Sequence, residues 1–218
     1  MGIKKYYATK DNTITNAFKI DLLTRGTGSN MGAADILEAF VIHGQTSASI
    51  NAGNAEQSRF MIQFPISTIS SDMVAGVIPN DTASLKFYLN LYNAPHGSTL
   101  PSDFELDVKM LEQAWTEGTG LDMDNYSDLG VSNWISSSEG VAWNATGSSY
   151  LYGAGTSASS DFETGLENMR LDVSDLVYKW LDATDNYGFL VKFPDSIVSG
   201  SISKYTKKFF SRTSEYFH

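Results

Sequence analysis

Apolar residues recurring at every second position constrain this chain more than any other feature. In Ser84–Tyr92, Leu85, Phe87, Leu89 and Leu91 alternate with Lys86, Tyr88, Asn90 and Tyr92. A period of two places one set on each face of a pleated strand, so this segment reads as a half-buried strand. In Arg59–Phe64, Phe60, Ile62 and Phe64 alternate in the same way, and Phe104–Gln113 does so more loosely through Leu106, Val108 and Met110. Asn186-Tyr-Gly leads into Phe189, Val191 and Phe193. Ile36–Ile42 is nearly continuous in apolar residues, the pattern of a strand buried on both faces. Tyr6–Ile20 and Ile202–Phe210 are rich in aromatic and β-branched residues and read as terminal strands.

One segment departs from this period. Leu176, Val177, Trp180 and Leu181 are spaced one, three and one apart, which is helical. Ser174 suits the cap and Asp175 the first turn. This predicts a short helix over about 174–183, lying across one end of the strands, with Trp180 in the core. Polar, Gly- and Ser-rich stretches at 44–57 and 144–161 separate the strands, and no repeat of 20–50 residues is present. The expected architecture is all-β, a jelly-roll β-sandwich with one short helix, formed by residues 1–218 as a single domain. At 218 residues a chain can bury roughly 70% of its unfolded surface without staples.

Composition excludes several functions. There is no cysteine, so disulfides and thiolate metal sites are absent. No apolar run approaches the roughly 20 residues of a membrane helix, so no membrane span is expected. Met1–Tyr7 lacks an apolar leader stretch, and Tyr6 stands where a myristoylation pattern needs Ser or Thr. Charged residues make up only 18%, against about 25% in ordinary globular chains. The surface must therefore be largely Ser, Thr, Asn and Gly. The net charge of −10 argues against nucleic acid as a partner. That charge is uneven. Residues 1–25 and 201–218 carry nine basic against three acidic side chains, and the rest of the chain is strongly acidic. Such asymmetry steers association.

Catalytic motifs are missing. His43, His96 and His218 stand in no nucleophile or zinc pattern, and no Gly-x-Ser-x-Gly occurs. Arg25-Gly-Thr-Gly-Ser-Asn-Met-Gly lacks the Lys-Ser/Thr of a phosphate loop and reads as a surface loop. A non-catalytic chain is expected. Asp122, Asp124 and Asp128 fall at offsets 1, 3 and 7 of one loop, which suits a hard cation such as calcium. Tyr126 breaks the EF-hand pattern at offset 5, and a solvated acidic loop explains the same residues. The cofactor expectation is therefore none, or calcium. Trp134 and Trp143 lie in loop-like sequence, where exposed rings would stack on a glycan.

Several segments, taken in order, resemble the DNRLRE-type sandwich family, also seen as a carbohydrate-binding module. They are Asn30-Met-Gly with Ile36-Leu37, Ser58–Phe64, Ala83–Tyr92, Trp115-Thr-Glu-Gly, Leu171–Trp180 with Asn186-Tyr-Gly-Phe, and Phe210-Ser-Arg-Thr-Ser. The resemblance covers most of residues 5–215 and implies a jelly-roll with a structural or glycan-binding role. Lys4–Phe18 and Tyr205–Phe217 resemble virion structural proteins of marine and cyanobacterial tailed phages. That likeness implies a bacteriophage virion protein: head decoration, neck or tail accessory. It would assemble with copies of itself or other virion proteins, and it would reside in the particle. Tyr6, Tyr7, Lys204, Lys207, Lys208, Phe209, Phe210 and Arg212 are the expected assembly residues. Relatives of this kind continue with one more short strand, so a closing C-terminal strand is expected to be missing and the last sheet edge to lie open. The alternative is a polysaccharide-binding module, calcium-stabilised, of an extracellular or adhesin protein that recognises host surface glycan.

Overall fold

The computed structural model describes residues 2–43, 55–96, 102–123, 131–199 and 204–215. In chain order its elements are β1 (Lys10–Thr15), β2 (Ile36–Ile42), β3 (Glu56–Gln63), α1 (Ile66–Val74), β4 (Tyr88–Leu91), β5 (Phe104–Met110), β6 (Ser136–Ser138), β7 (Val141–Ala142), β8 (Ser157–Phe162), β9 (Met169–Asp172), α2 (Ser174–Asp182), β10 (Phe189–Lys192), α3 (Asp195–Val198) and β11 (Lys204–Phe210). The main sheet is antiparallel and runs β11-β2-β3-β10-β5-β8, with β1 also paired to β3; β4–β9 and β6–β7 form two further pairs.

The sheet curls at Ser58. β2 pairs with the start of β3 (Ile42 opposite Glu56, Phe40 opposite Ser58), and β10 takes over opposite Phe60 and Ile62. Between them the Ser58 hydroxyl donates to Glu38 O (2.7 Å) and accepts from Phe40 N (3.0 Å). The Thr13 hydroxyl accepts from Glu38 N (3.2 Å). Thr13 is opposite Phe60 in the β1–β3 register, so Ser58, Phe60 and Thr13 share one face. β2 therefore lifts off β3 and crosses that inner face, carrying β11 with it. Phe209 of β11 then meets Phe60 edge-on, with ring centroids 5.9 Å apart. A short hydroxyl at position 58 makes this possible, because it replaces backbone partners that β2 loses on leaving.

Two apolar clusters result. The larger contains Leu37, Phe60, Ile62, Leu89, Leu106, Phe162, Trp180 and Phe209 among others. The second, on the opposite face of the central strands, contains Ile14, Met61, Leu111, Trp115, Trp134, Trp143 and Leu190. Its cover comes from the described residues between β5 and β8, 111–123 and 131–156. β10 is consequently buried along its whole length, including Lys192, whose ammonium pairs with Asp195.

The alternation read from Ser84–Tyr92 holds for burial, but only Tyr88–Leu91 forms a ladder. Upstream, Phe87 N donates to the Ser174 hydroxyl (2.9 Å) and Phe87 O accepts from Val173 N. Ser174 thus clasps β4 and makes no cap; its own N–H goes to Asp172. α2 lies where expected, with Trp180 packed 4.5 Å from Phe189. The expected open C-terminal edge is partly covered: Ala94 N donates to Lys208 O, and Phe210 N to Tyr92 O. At the other end of the main sheet from β11 stands β8. Among the described residues, no helix is long and apolar enough to cross a membrane.

Candidate assembly surface

The expected assembly residues separate into core and surface. Lys207 is fully buried. Its ammonium donates to Asn93 Oδ1 (2.6 Å), Gly165 O (2.8 Å) and Glu167 O (2.7 Å), and stands 4.9 Å from the Phe162 and Phe209 ring centres. Burial pushes it down to about 8, against the pull of Glu167. It is a clasp between β11 and the β4–β9 pair. Phe209 is likewise buried between Phe60 and Phe162. Neither reaches a partner, because a curled β11 turns its odd-numbered side chains inward. This corrects the sequence expectation for both. Lys208 pairs with Glu38 (3.2 Å), Phe210 is half-buried, and Lys204 is exposed. Tyr6 donates to Asp72 Oδ2 (2.7 Å); burial first, then that bond and the charge of Asp72, push its phenol up to about 12. Tyr7 is exposed.

Arg212 belongs to a polar hub that unites segments distant in sequence. Its guanidinium pairs with Glu117 (2.6 Å), and its N–H donates to Asp11 Oδ2 (2.8 Å). Glu117 Oε1 accepts from Asp11 N (2.6 Å). Asn30 Oδ1 accepts from Gly120 N (2.8 Å), and a methyl group on Gly118 would overlap that oxygen. Asn12 ties the hub to Ser132 and to Met31 N. Asp11 is buried with Oδ1 unpartnered, and desolvation raises its carboxyl to about 6 despite Arg212. The Asn30-Met-Gly, Trp115-Thr-Glu-Gly and Ser-Arg segments therefore meet, and what they build is a brace that runs from the buried Asp11 and Asn30 out to the surface pair Arg212–Glu117.

Trp134 and Trp143 are 6% and 5% exposed. Arg59 lies over the Trp134 ring, and Trp143 Nε1 donates to Asn133 O (2.8 Å). Rings packed this way offer no face to a sugar, which corrects the expectation of glycan contact there. Asp122 is half-buried; Asp124 and Asp128 lie outside the described residues. Among the described residues, no group of three or more His, Asp or Glu side chains could hold a metal ion.

The surface carries a feature that periodicity did not reveal. Phe18 and Arg25 bridge to close a turn whose tip is Lys19-Ile-Asp-Leu-Leu-Thr24. Lys19 N donates to Thr24 O (2.7 Å), and Leu22 N to Lys19 O (2.8 Å). Asp21 Oδ1 accepts from Leu23 N and Thr24 N (2.9 and 2.8 Å), which holds its carboxyl below the usual range. Arg25 lies 4.1 Å from the Phe18 ring centre. The turn is thus built by its own bonds, and it presents Ile20 (89% exposed), Leu23 (85%) and Leu22 (49%) to solvent. Leu22 sits at φ 54°, a left-handed conformation costly for a non-glycine residue. Scattered exposed apolar residues are ordinary, whereas these three stand together at one ordered tip. The signal in sequence is Ile20-x-Leu22-Leu23 flanked by Lys19 and Arg25, masked when Tyr6–Ile20 is read as one strand.

No family model, no curated protein and no solved structure matches the chain.

Proposed function

We propose that this chain is a non-catalytic structural protein of a bacteriophage particle that acts by subunit assembly, with its curled sheet a jelly-roll sandwich. The observation that carries assembly is the ordered 18–25 turn, which exposes the side chains of Ile20, Leu22 and Leu23 together at its tip. Burying an exposed aliphatic side chain is worth roughly 1.5–3 kcal/mol, so three of them supply most of what a weak subunit contact needs. The likeness of Lys4–Phe18 and Tyr205–Phe217 to tailed-phage virion proteins supports a particle as the setting. The low share of charge, 18%, suits a surface meant to be covered by neighbours.

Sedimentation velocity of the purified chain over a hundredfold concentration range tests this. The expected result is a mass that rises from monomer to a defined oligomer and changes little with salt, since apolar contacts dominate. A monomer at every concentration contradicts it.

A further inference from the structure

A cleft of about 470 Å³ lies between the start of β5, the end of β8 and α3, lined by Asp103, Phe104, Glu105, Asp161, Phe162, Glu163, Pro194, Ser196 and Ile197. Pro194 and Ile197 give it a small apolar floor above the buried Phe104 and Phe162, and its rim carries four carboxylates, none in an ion pair with a described residue. Those carboxylates do not converge as a metal site. They make a negative field around an apolar floor.

We propose that the 18–25 turn of one copy docks into the Asp103–Glu163 cleft of a second copy. This rests on the assembly reading above and names the partner surface. The match is chemical: Ile20 and Leu23 meet Pro194 and Ile197, while Lys19 and Arg25 face the carboxylate rim. Opposite charges at the rim set register, and apolar burial gives the affinity. The placement also fits. The register Thr15–Ser58, Phe60–Val191, Val191–Val108 and Phe104–Phe162 puts the turn and the cleft at the same end of the sheet. They flank opposite edges, β1 and β8, four strand spacings or about 19 Å apart. One such contact repeated head to tail generates a closed ring or an open filament, and two reciprocal contacts generate a two-fold dimer.

A basic-flanked aliphatic turn also suits a membrane surface, so the test separates the two. The chain has no cysteine of its own. Leu23→Cys chains mixed with Ser196→Cys chains are oxidised, with Ser70→Cys on α1 as the control partner. Disulfide-linked dimers are expected in the first mixture at least tenfold faster than in the control. Glu105→Lys with Glu163→Lys, on an otherwise wild-type chain, is expected to weaken self-association at least tenfold. If the wild type oligomerises yet neither the selective cross-link nor that weakening appears, the docking proposal is overturned while assembly stands. If the wild type is monomeric throughout, both fall. If the wild type floats with phosphatidylcholine–phosphatidylserine vesicles and Leu23→Asp does not, without cross-linking, the turn is a membrane contact and the proposal is overturned.

Discussion

Replacing Phe209 with alanine distinguishes a core role for β11 from an interface role. Phe209 is fully buried, 5.9 Å from Phe60 and 6.2 Å from Phe162 between ring centres, with the Lys207 ammonium 4.9 Å from its ring. Phe→Ala in a packed core costs about 3–5 kcal/mol through lost transfer energy and the cavity left behind. The ring contacts place this site toward the upper end, because aromatic pairs add about 0.5–1.5 kcal/mol. For a chain of this size each kcal/mol lowers the melting temperature by about 2–4 °C, so a fall of about 8–20 °C is expected. Circular-dichroism melts at a concentration where the chain is monomeric provide the assay. Tyr7→Ala, at an exposed side chain, is the control and should move stability by less than about 0.5 kcal/mol. A Phe209→Ala protein that melts within about 2 °C of wild type refutes the reasoning, since β11 would then not be core.

Other consequences follow from the brace and the second core. Burial pushes the Asp11 carboxyl up to about 6 in the folded chain, above its ordinary value of 3.8, so between those values the native state holds a proton that the unfolded state has lost. Stability should therefore fall as pH rises from about 4 to 6 and level off above. Asp11→Asn should remove that slope in melts from pH 3.5 to 8, and an unchanged slope would assign it elsewhere. Gly118→Ala drives a methyl group into Asn30 Oδ1 and should cost about 1–3 kcal/mol, read from urea midpoints. Trp143→Ala should destabilise the chain by about 3–5 kcal/mol in the same assay, as a core residue does.

Strands were legible wherever one face is buried against a regular neighbour. Ile36–Ile42, Phe104–Met110 and Lys204–Phe210 carry the expected patterns, and α2 shows its stripe. α1 had a weaker signal, Ile66, Ile69 and Met73 after Pro65, but only Ile69 is buried, so its serine-rich surface diluted the period. Lys207 was misread because charge suggests surface; only three-dimensional placement reveals three oxygens around its ammonium. Trp134 and Trp143 were misread because irregular backbone suggests exposure, whereas here residues 112–123 and 131–156 form a covering layer. The 18–25 turn depends on local hydrogen bonds that composition does not encode. The acidic cleft gathers three segments some 30 to 90 positions apart.

The most direct test of the central claim compares the sedimentation of the wild type with that of an Ile20→Asp, Leu23→Asp double variant at matched concentration. Both side chains are solvent-exposed, so the variant should keep the wild-type melting temperature. The account predicts that the wild type runs as an oligomer and the variant as a monomer. Identical oligomers in both would contradict it.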